Sequence, residues 1–577
     1  MDWSLKRDLE RQLGMEQGYC RYPAGIRERF ALVYPNSYRV GMSNLGIHIL
    51  YRMLNERRDI ACERFFLPER RSLERYRSTA TPLMSLESQL PLFQFPIIGF
   101  AISFEMDYFH VLDILSLGHV KLLAAERGEQ EPLVIGGGPC ATFNPEPLHL
   151  FFDAFVIGEG EEVLPAFLEA YFSARAEGLP KEQLLQRIGQ VPGIYVPSLY
   201  RHVYATNGIL SEIRPLGDAP NRVARQWVKH LDAYPAGTAI VTKDAEFDLY
   251  LMETARGCGR HCRFCMAGYC FRRPRNRSLS ALQKELEKAR SCGKRIGLMG
   301  AAISDYPWIN ELCGDILEAG LSMSVASFRA DSVTRELVEA LAASGLKTLT
   351  LAPEAGSARM RAVINKGIEE RHLFQAMEWG LAAGIRNYRL YFMIGLPYET
   401  EEDIAAIPEL ALRVRERMDQ QGGKGTLTLS IHPFVPKPFT PFQWLPMAER
   451  RRMDSAIKGI RKALAGRKRI VVLSDSPREA QIQGVLARGD RRISPVLLAA
   501  HAQGGASSFL RALRMEGLEA DQYLLREYAE DEIFPWEILD MGIRKDYLHQ
   551  ELKRARQQEF TPQCFDGCRR CGVCTCD

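Results

Sequence analysis

Hydrophobic residues in the first third of the chain fall into short runs that alternate with amphipathic stretches. RFALVYP is followed by the helical pattern NLGIHILYRMLNERRD and then by ERFFLP, and later come PIIGFAISF, PLVIGGGP and AFVIGEG. Short, continuous apolar runs separated by helices are typical of a parallel sheet that is covered on both faces. The pattern predicts a doubly wound α/β domain over residues 1–171.

A second and more regular alternation fills residues 245–445. The apolar runs, each separated from the next by a helical pattern, are FDLYLMETA, RIGLMG, LSMSVASF, KTLTLAP, NYRLYFMIG and TLTLSIHPF. Such βα units predict a parallel barrel or part of one, here a partial (β/α)6 barrel. Functional residues of a barrel lie at the carboxyl ends of its strands.

The remaining segments are less regular. Residues 172–244 place turn residues between short strand-like pieces such as VPGIYVPSLY, and we interpret them as a connector. Residues 446–577 read as a mainly helical region with one apolar strand, RIVVL, and they end in the cysteine-rich tail QCFDGCRRCGVCTCD.

Composition limits the classes of protein that fit these patterns. A chain of 577 residues exceeds what one hydrophobic core usually supports. Its 75 basic and 71 acidic residues give a net charge of +4, too small a field to recruit nucleic acid or membrane. The start, MDWSLKRDLERQLG, lacks the apolar centre of a secretory signal, and no run approaches the roughly 20 apolar residues of a membrane span. We therefore expect a cytoplasmic protein whose 14 cysteines are metal ligands, catalytic groups or buried apolar residues before they are disulfides.

Glycines follow two predicted strands of the amino-terminal domain. Gly136, Gly137 and Gly138 come after one strand, and Gly158 and Gly160 come after the next. Doubly wound sheets bind ligands beyond this edge. The glycines either approach a ligand or only make tight turns, and the sequence leaves both interpretations open.

Three cysteines with the spacing CxxxCxxC directly follow the first strand of the predicted barrel. They are Cys258, Cys262 and Cys265, in the sequence GCGRHCRFC. Thiolates on one loop suit an iron-sulfur cluster or zinc. A structural zinc site needs a fourth ligand nearby, for which His261 and Cys270 are candidates.

Three ligands for a cubane of four irons leave one iron open. The amino and carboxylate groups of S-adenosylmethionine can chelate that iron, which places the sulfonium beside a low-potential electron donor. Phe264, the aromatic residue before the third cysteine, would shield such a cluster from water. It would equally serve as a core aromatic at the mouth of the barrel.

The cysteine motif in a first βα loop, followed by further βα units, resembles the radical SAM superfamily over about residues 245–445. The resemblance implies a [4Fe-4S] cluster on Cys258, Cys262 and Cys265 and cleavage of S-adenosylmethionine to methionine and a 5′-deoxyadenosyl radical. It also implies a one-electron reductant such as a flavodoxin or ferredoxin. The substrate and the residue that acts on it stay unassigned.

Two downstream segments resemble the superfamily's contacts to the methionine part of the cofactor. MGAAISD at 299–305 resembles the glycine-rich motif that meets the methionine amino group, which makes Gly300 and Ala301 candidates, although the usual acidic residue is missing. SFRAD at 327–331 places Ser327 and Arg329 where similar enzymes contact the carboxylate or the ribose.

Two more segments resemble contacts to the nucleoside. APEAGS at 352–357 resembles the segment whose carboxylate accepts ribose hydroxyls, so Glu354 is the first candidate with Ser357 beside it. Glu354 would alternatively be a carboxylate that stabilises a helix amino terminus. MIGLPYET at 393–400 resembles the segment that packs on adenine through Ile394 and Gly395.

Nearly the whole chain resembles a subgroup of the superfamily that has an amino-terminal, flavodoxin-like cobalamin-binding-like domain. The similarity includes TLAPEAGSARMRAVINKG, RGDRR at 488–492 and FPWEILDMGIRKDYLHQE. The DxHxxG motif, which supplies an axial histidine to cobalt in that domain, is missing from residues 28–171. Cobalamin would therefore bind without a protein imidazole or not at all, and we expect His48 to be a packed helix residue.

The tail holds a second group of cysteines at 564, 568, 571, 574 and 576. Four of them, Cys564, Cys568, Cys571 and Cys574, would complete an auxiliary iron-sulfur cluster or a zinc site, and spacing does not choose between these. A disordered, reactive tail is the alternative.

A basic run, CFRRPRNR, follows the cysteine motif. Arg272, Arg273, Arg275 and Arg277 would either grip phosphates of RNA or of a nucleotide, or form an ordinary solvated loop.

The sequence thus favours a radical SAM enzyme with an unidentified substrate. Cobalamin-dependent methylation, and methylthiolation of RNA or protein through the tail cysteines, are alternative reactions. A non-catalytic, zinc-stabilised RNA-binding or scaffold protein is an alternative of another class.

Overall fold

The computed structural model describes residues 2–575. Its strands are β1 Glu28–Ser37, β2 Ile60–Leu67, β3 Ile97–Ala101, β4 Leu133–Gly137, β5 Ala154–Val156, β6 Ile194–Tyr195, β7 Tyr200–Tyr204, β8 Leu210–Pro215, β9 Val223–Ala224, β10 Leu249–Glu253, β11 Ala255–Arg256, β12 Arg275–Asn276, β13 Arg295–Met299, β14 Met323–Ser324, β15 Thr348–Glu354, β16 Asn387–Ile394, β17 Leu427–Pro433, β18 Ile470–Ser474 and β19 Leu539–Asp540.

The α-helices lie between these strands and after them. They are α1 Trp3–Leu13, α2 Tyr38–Gly41, α3 Leu45–Glu56, α4 Arg70–Thr79, α5 Tyr108–Leu117, α6 Pro139–Phe143, α7 Gly160–Ala176, α8 Lys181–Ile188, α9 Ala267–Cys270, α10 Leu279–Cys292, α11 Ile309–Glu318, α12 Arg335–Ala343, α13 Ala358–Val363, α14 Glu370–Ala382, α15 Glu401–Gln420, α16 Arg450–Ala463, α17 Pro477–Arg488, α18 Ile493–Ala502, α19 Phe509–Met515, α20 Ala520–Leu524 and α21 Lys545–Gln557.

The chain divides into two compact units, each of which includes carboxyl-terminal segments. Unit 1 comprises residues 1–248, 486–519 and 531–542, and unit 2 comprises residues 249–485, 520–530 and 543–577. The segment 446–577, predicted as a single helical region, is therefore shared between the units. The predicted boundaries near residues 171, 244 and 445 remain a proposal.

Unit 1 contains the predicted doubly wound sheet. The strand order is β2-β1-β3-β4-β5-β6, and β1 to β5 are parallel while β6 pairs antiparallel with β5. Each of the five predicted apolar runs forms one of the parallel strands, so the doubly wound prediction is confirmed. The order reverses between β1 and β3, which is the point where such sheets form a ligand crevice.

The core of unit 1 explains the sequence pattern. Buried residues of the strands, such as Leu32, Ile97 and Ile135, pack with Phe167 and Leu168 of α7 and with Ile47 of α3. Continuous apolar runs occur because both faces of the parallel sheet are covered. Residues 172–244, predicted as a connector, contribute α8 and β6 to β9, and β7 and β8 form an antiparallel hairpin.

Unit 2 contains the predicted parallel βα units. Strands β10-β13-β14 form one sheet and β15-β16-β17-β18 form another, and both are parallel. A parallel bridge between Phe328 and Leu351 joins β15 to the segment that follows β14. The six predicted strands are present in the predicted order. The run RIVVL adds β18 as a further strand, beyond residue 445, because it pairs in parallel with β17.

No helix among residues 2–575 combines the length and the apolar character that crossing a membrane requires.

Candidate metal centre

The cysteine loop, residues 257–274, starts at the carboxyl end of the first strand of unit 2. Gly257 has a φ of +80°, and a Cβ there would lie 2.1 Å from the Phe271 carbonyl oxygen, so only glycine fits. The strand after the loop, β12, pairs antiparallel with β11, the strand before it. Glu253 at the end of β10 accepts hydrogen bonds from Arg256 (2.8 Å) and Arg277 (2.7 Å), which fixes both ends of the loop.

The three motif cysteines lie close together on this loop. Cys262 is buried, with 7% of its surface exposed, and Cys258 and Cys265 are half-buried. The Cys265 amide donates to the Cys262 carbonyl oxygen (3.0 Å), and the Arg260 amide donates to the Cys258 sulfur (3.4 Å). Burial raises the pKa of the Cys265 thiol to about 12, with further increases from the charges of Cys262 and Cys258. A bound cation would stabilise the thiolate forms of these side chains, and three sulfur donors on one loop fit an iron-sulfur cluster.

Among residues 2–575, no group of three or more His, Cys, Asp or Glu side chains converges closely enough to hold a single metal ion. The ligands of a single zinc ion all lie about 2.0–2.3 Å from one point. The ligands of a cubane bind different irons and are spread more widely.

Cationic side chains surround the cysteine loop. Arg329, after β14, donates to the Cys262 sulfur (3.5 Å) and to both carboxylate oxygens of Asp331 (3.1 and 3.0 Å). Burial disfavours its charge, but Cys262 and Asp331 raise the pKa of Arg329 overall. Arg260 pairs with Asp305 (2.7 Å) and Asp331 (3.0 Å). The sequence predicted Arg329 as a cofactor contact, and the structure places its guanidinium against the Cys262 sulfur.

The segment after β13 approaches the start of the cysteine loop. A Cβ on Gly300 would lie 3.2 Å from the Thr254 hydroxyl and 3.3 Å from the Ala255 carbonyl oxygen. Ala301 is exposed beside it, and Ser327 is half-buried after β14. These three predicted cofactor contacts therefore lie at the carboxyl ends of β13 and β14, where the barrel pattern predicts a site.

Glu354 occupies a strained position at the end of β15. Its φ is +66°, in the left-handed region, and the β15–β16 register shifts between Leu351 and Glu354. Its carboxylate accepts a hydrogen bond from the Lys366 ammonium (3.0 Å), which also lies 6.0 Å from the centre of the Phe264 ring. Backbone strain of this kind concentrates at functional sites. The two candidates Glu354 and Phe264 are thus linked through a lysine that sequence reasoning missed.

Ser357 is the N-cap of α13, which it caps by accepting from the Met360 amide (3.0 Å). Its hydroxyl donates to Asp403 (2.6 Å). The side chain that caps α13 is therefore that of Ser357 and not that of Glu354.

Ile394 ends β16 and is fully buried, and Gly395 follows with a φ of +73°. The Gly395 amide donates to Glu399 (2.7 Å), and burial raises the pKa of that carboxyl group to about 7. The predicted adenine segment is therefore a tight turn held by a buried carboxyl group.

Three side chains that the sequence did not single out fasten the cysteine loop to the carboxyl-terminal part of unit 2. Arg263 is fully buried and donates to Glu551 (3.2 Å) and to the Glu559 carbonyl oxygen (2.7 Å). The Asn365 amide group donates to the carbonyl oxygens of His261 (3.1 Å) and Thr561 (3.0 Å). Only proximity in the fold reveals these roles, because the partners are far apart in the chain.

The basic run does not form a phosphate-binding surface or a solvated loop. Arg272, Arg275 and Arg277 are buried, and Arg273 is half-buried. Arg272 donates to the Arg260 carbonyl oxygen (2.9 Å), and Arg277 pairs with Glu253. Both surface interpretations are wrong for the three buried arginines, and Arg272 and Arg277 instead hold the cysteine loop together through these contacts.

The tail cysteines up to residue 574 lie in the same unit as the cysteine loop. Cys568 and Cys571 are each 2% exposed, and Cys564 and Cys574 are half-buried. Cys576 lies outside the described residues. The placement contradicts a disordered tail for these four cysteines.

Two family models match the chain. The model of the amino-terminal region of radical SAM proteins matches residues 46–197, and the model of the radical SAM superfamily matches residues 252–411. The chain belongs to the radical SAM superfamily and is an enzyme of that class, which sets aside the non-catalytic scaffold interpretation. Enzymes of this class use a [4Fe-4S] cluster and S-adenosylmethionine and require an electron donor.

Individual relatives resemble the chain over much of its length. An uncharacterized protein of Methanocaldococcus jannaschii is 29% identical over 504 residues, which cover 86% of this chain and 96% of that protein. An uncharacterized methyltransferase of Pyrococcus horikoshii is 24% identical over 314 residues, which cover 50% of this chain and 60% of that protein. The solved structure of the radical S-adenosylmethionine methyltransferase TsrM from Kitasatospora setae, with cobalamin and a [4Fe-4S] cluster bound, matches with a TM-score of 0.51 and 14% identity. It covers 85% of this chain and 100% of that chain. The similarity to TsrM shows a shared fold.

Proposed function

We propose that the chain binds a [4Fe-4S] cluster through Cys258, Cys262 and Cys265 and cleaves S-adenosylmethionine reductively, in order to act on a substrate that is still unidentified. The observation that supports this most directly is the placement of three cysteines on one loop at the carboxyl end of β10 and β11. When bound, the cluster would supply an open iron for the cofactor's amino and carboxylate groups to chelate, and one electron to break the cofactor's carbon-sulfur bond.

The protein's own residues position the cofactor in this proposal. Gly300 and Ala301 leave room for the methionine amino group at the end of β13, and Ser327 offers a hydroxyl at the end of β14. Glu354 accepts the ribose hydroxyls, held in place by Lys366 (3.0 Å). Ile394 and Gly395 form the turn against adenine. The electron donor we propose is a flavodoxin or ferredoxin.

The test is spectroscopic and chemical. Protein reconstituted without oxygen and reduced with dithionite is expected to show the EPR signal of a reduced [4Fe-4S] cluster, and S-adenosylmethionine is expected to change that signal, because it occupies the open iron. 5′-Deoxyadenosine is expected to form. A signal that does not respond to S-adenosylmethionine, with no 5′-deoxyadenosine formed, would contradict the proposal.

Cobalamin-dependent methyl transfer is a second candidate, favoured by the flavodoxin-like strand order of unit 1 and the fold shared with TsrM. His48 cannot supply a cobalt ligand, because its Nε2 contacts the Met42 carbonyl oxygen (3.0 Å) and its Nδ1 accepts from the Ile240 amide. His110 is better placed, beside the crevice between β1 and β3. Its Nδ1 lies 2.9 Å from the Pro35 carbonyl oxygen and 3.2 Å from Asp107. A carboxylate that fixes Nδ1 orients Nε2 toward a metal.

Binding of hydroxocobalamin tests this candidate. We expect the reconstituted protein to retain the corrinoid through gel filtration, because the crevice of unit 1 is proposed to hold it. In protein labelled with ¹⁵N-histidine, the EPR spectrum of reduced cobalt is expected to show coupling to the label, which His110→Ala removes and the exposed control His230→Ala keeps. Retention without coupling would overturn the role of His110, and lack of retention would overturn cobalamin binding.

A further inference from the structure

The tail repeats the spacing of the cysteine loop and adds one more ligand. Cys564, Cys568 and Cys571 follow the CxxxCxxC pattern of residues 258–265, and Cys574 comes three positions later. In the loop, three thiols leave one iron of a cubane open. In the tail, four thiols match the four irons of a cubane, which is the ligand set of an electron-transfer cluster.

The cysteine tail, residues 562–575, is folded against unit 2 by named contacts. The Cys571 carbonyl oxygen accepts from the Arg544 amide (3.0 Å). Arg570 donates to the carbonyl oxygens of Pro562 (2.8 Å) and Gln563 (2.9 Å), which closes the tail on itself. Buried Cys568 and Cys571 therefore lie in a built environment rather than on a free end.

An arginine side chain contacts a tail cysteine directly. Arg570 Nε donates to the Cys568 sulfur (3.3 Å), and the Cys568 amide donates to the Phe565 carbonyl oxygen (3.1 Å), which turns the chain between Cys564 and Cys568. Thiolates with balancing arginines suit a bound cluster.

The cysteine tail also touches the cysteine loop directly. The Cys564 amide donates to the Gly259 carbonyl oxygen (2.8 Å), and a Cβ on Gly259 would lie 3.5 Å from the Cys564 Cβ. Gly259 is the residue after Cys258, so the two cysteine groups lie side by side. No such contact is readable from the sequence, in which the groups are hundreds of residues apart.

His261, which precedes Cys262, completes the link between the groups. Arg272 Nη1 lies 3.1 Å from His261 Nδ1 and 3.3 Å from its Nε2, and the Tyr547 hydroxyl contacts Nδ1. His261 Nε2 lies 3.6 Å from the Cys564 sulfur. His261 belongs to the cysteine loop, and its imidazole thus reaches the Cys564 thiol of the cysteine tail.

We propose that Cys564, Cys568, Cys571 and Cys574 hold a second [4Fe-4S] cluster, fully coordinated by the protein, that relays electrons to the cluster of the cysteine loop. One electron leaves a reduced donor of the flavodoxin or ferredoxin class, passes through the tail site to the loop site, and is consumed when the carbon-sulfur bond of S-adenosylmethionine breaks. No proton is transferred and no other bond forms or breaks in the relay. The relay rests on the proposed function, whereas the second cluster does not.

Metal analysis of the wild type and three variants tests the site. We expect about eight irons and eight sulfides per chain in the reconstituted wild type. The loop variant C258A/C262A/C265A and the tail variant C564A/C568A/C571A/C574A are each expected to hold about four. The matched control Cys313→Ala, which removes a buried cysteine of α11, is expected to keep the wild-type content.

The outcomes separate the second site from the proposed function. Iron and sulfide that remain in the loop variant report the tail site alone, in a protein that cannot form the loop cluster. A loop variant that holds zinc, or holds no metal, would overturn the second cluster. If the tail variant does not fold, as judged by circular dichroism, the iron and sulfide contents of the wild type and of the loop variant still decide whether the second cluster is present.

The relay has its own measurement. In the tail variant, the ratio of flavodoxin-driven to dithionite-driven 5′-deoxyadenosine formation is expected to fall at least about tenfold relative to wild type. The EPR response of the loop cluster to S-adenosylmethionine is expected to persist. An unchanged ratio would overturn the relay, whatever the iron content shows.

Discussion

Replacing Cys262 with alanine is expected to lower 5′-deoxyadenosine formation by at least about three orders of magnitude. The iron-sulfur cluster carries the chemistry, and the two remaining thiols are not expected to hold it. Cys262 is the buried member of the motif, and its sulfur accepts from Arg329. Loss of the sulfur also leaves Arg329 with only its Asp331 and main-chain partners on that side.

The measurement is quantitative chromatography of 5′-deoxyadenosine after anaerobic reconstitution, with iron content determined on the same sample. Cys313→Ala is the matched control, since it too removes a buried thiol. Wild-type activity in Cys262→Ala would defeat the assignment of the cluster to this loop. A folded variant with normal circular dichroism makes the loss specific to the site.

Replacing Arg64 with methionine is expected to destabilise unit 1 by about 3–5 kcal/mol, because it leaves two buried carboxylates without their counter-charge. Arg64 is fully buried on β2. Its guanidinium donates to Glu16 (2.9 and 2.6 Å) and to Glu87 (2.6 Å), and its amide also donates to Glu87 (2.7 Å). Removing one partner of a buried ionic network costs far more than removing an exposed one.

Thermal and urea unfolding followed by circular dichroism, together with limited proteolysis, would measure this effect. Arg70→Met is the control, because Arg70 is exposed and pairs only with Glu74 on the surface of α4. Equal unfolding midpoints for the two variants would contradict the expectation. Proteolysis is expected to cut first within unit 1, where the unpaired carboxylates lie.

Local patterns were sufficient for much of the fold. The apolar runs of both α/β regions are parallel strands in the predicted order, because each run must be buried on both faces wherever it lies. The strand RIVVL is an instructive exception. The sequence predicted it as one strand of a mainly helical region, and only its pairing with β17 made it part of the sheet.

The candidate site likewise has a part that the sequence predicted and a part that only the structure shows. The sequence identified Cys258, Cys262 and Cys265, because ligands of one cluster on one loop must keep a fixed spacing. It misjudged the surroundings of the loop. The sequence predicted Arg272 as a solvated or phosphate-binding side chain, but it is buried against His261. Its burial depends on the segments that cover the loop, which the local sequence does not reveal.

The sequence by itself determined the class of enzyme and predicted the cluster ligands, since spacing and strand order are properties of short segments. Tertiary structure alone decided which groups face one another: Lys366 against Glu354, Arg329 against Cys262, and the cysteine tail against the cysteine loop. The contact between Cys564 and His261 spans 303 positions of the chain. Interactions over such separations depend on how the whole of unit 2 packs, and no local pattern encodes them.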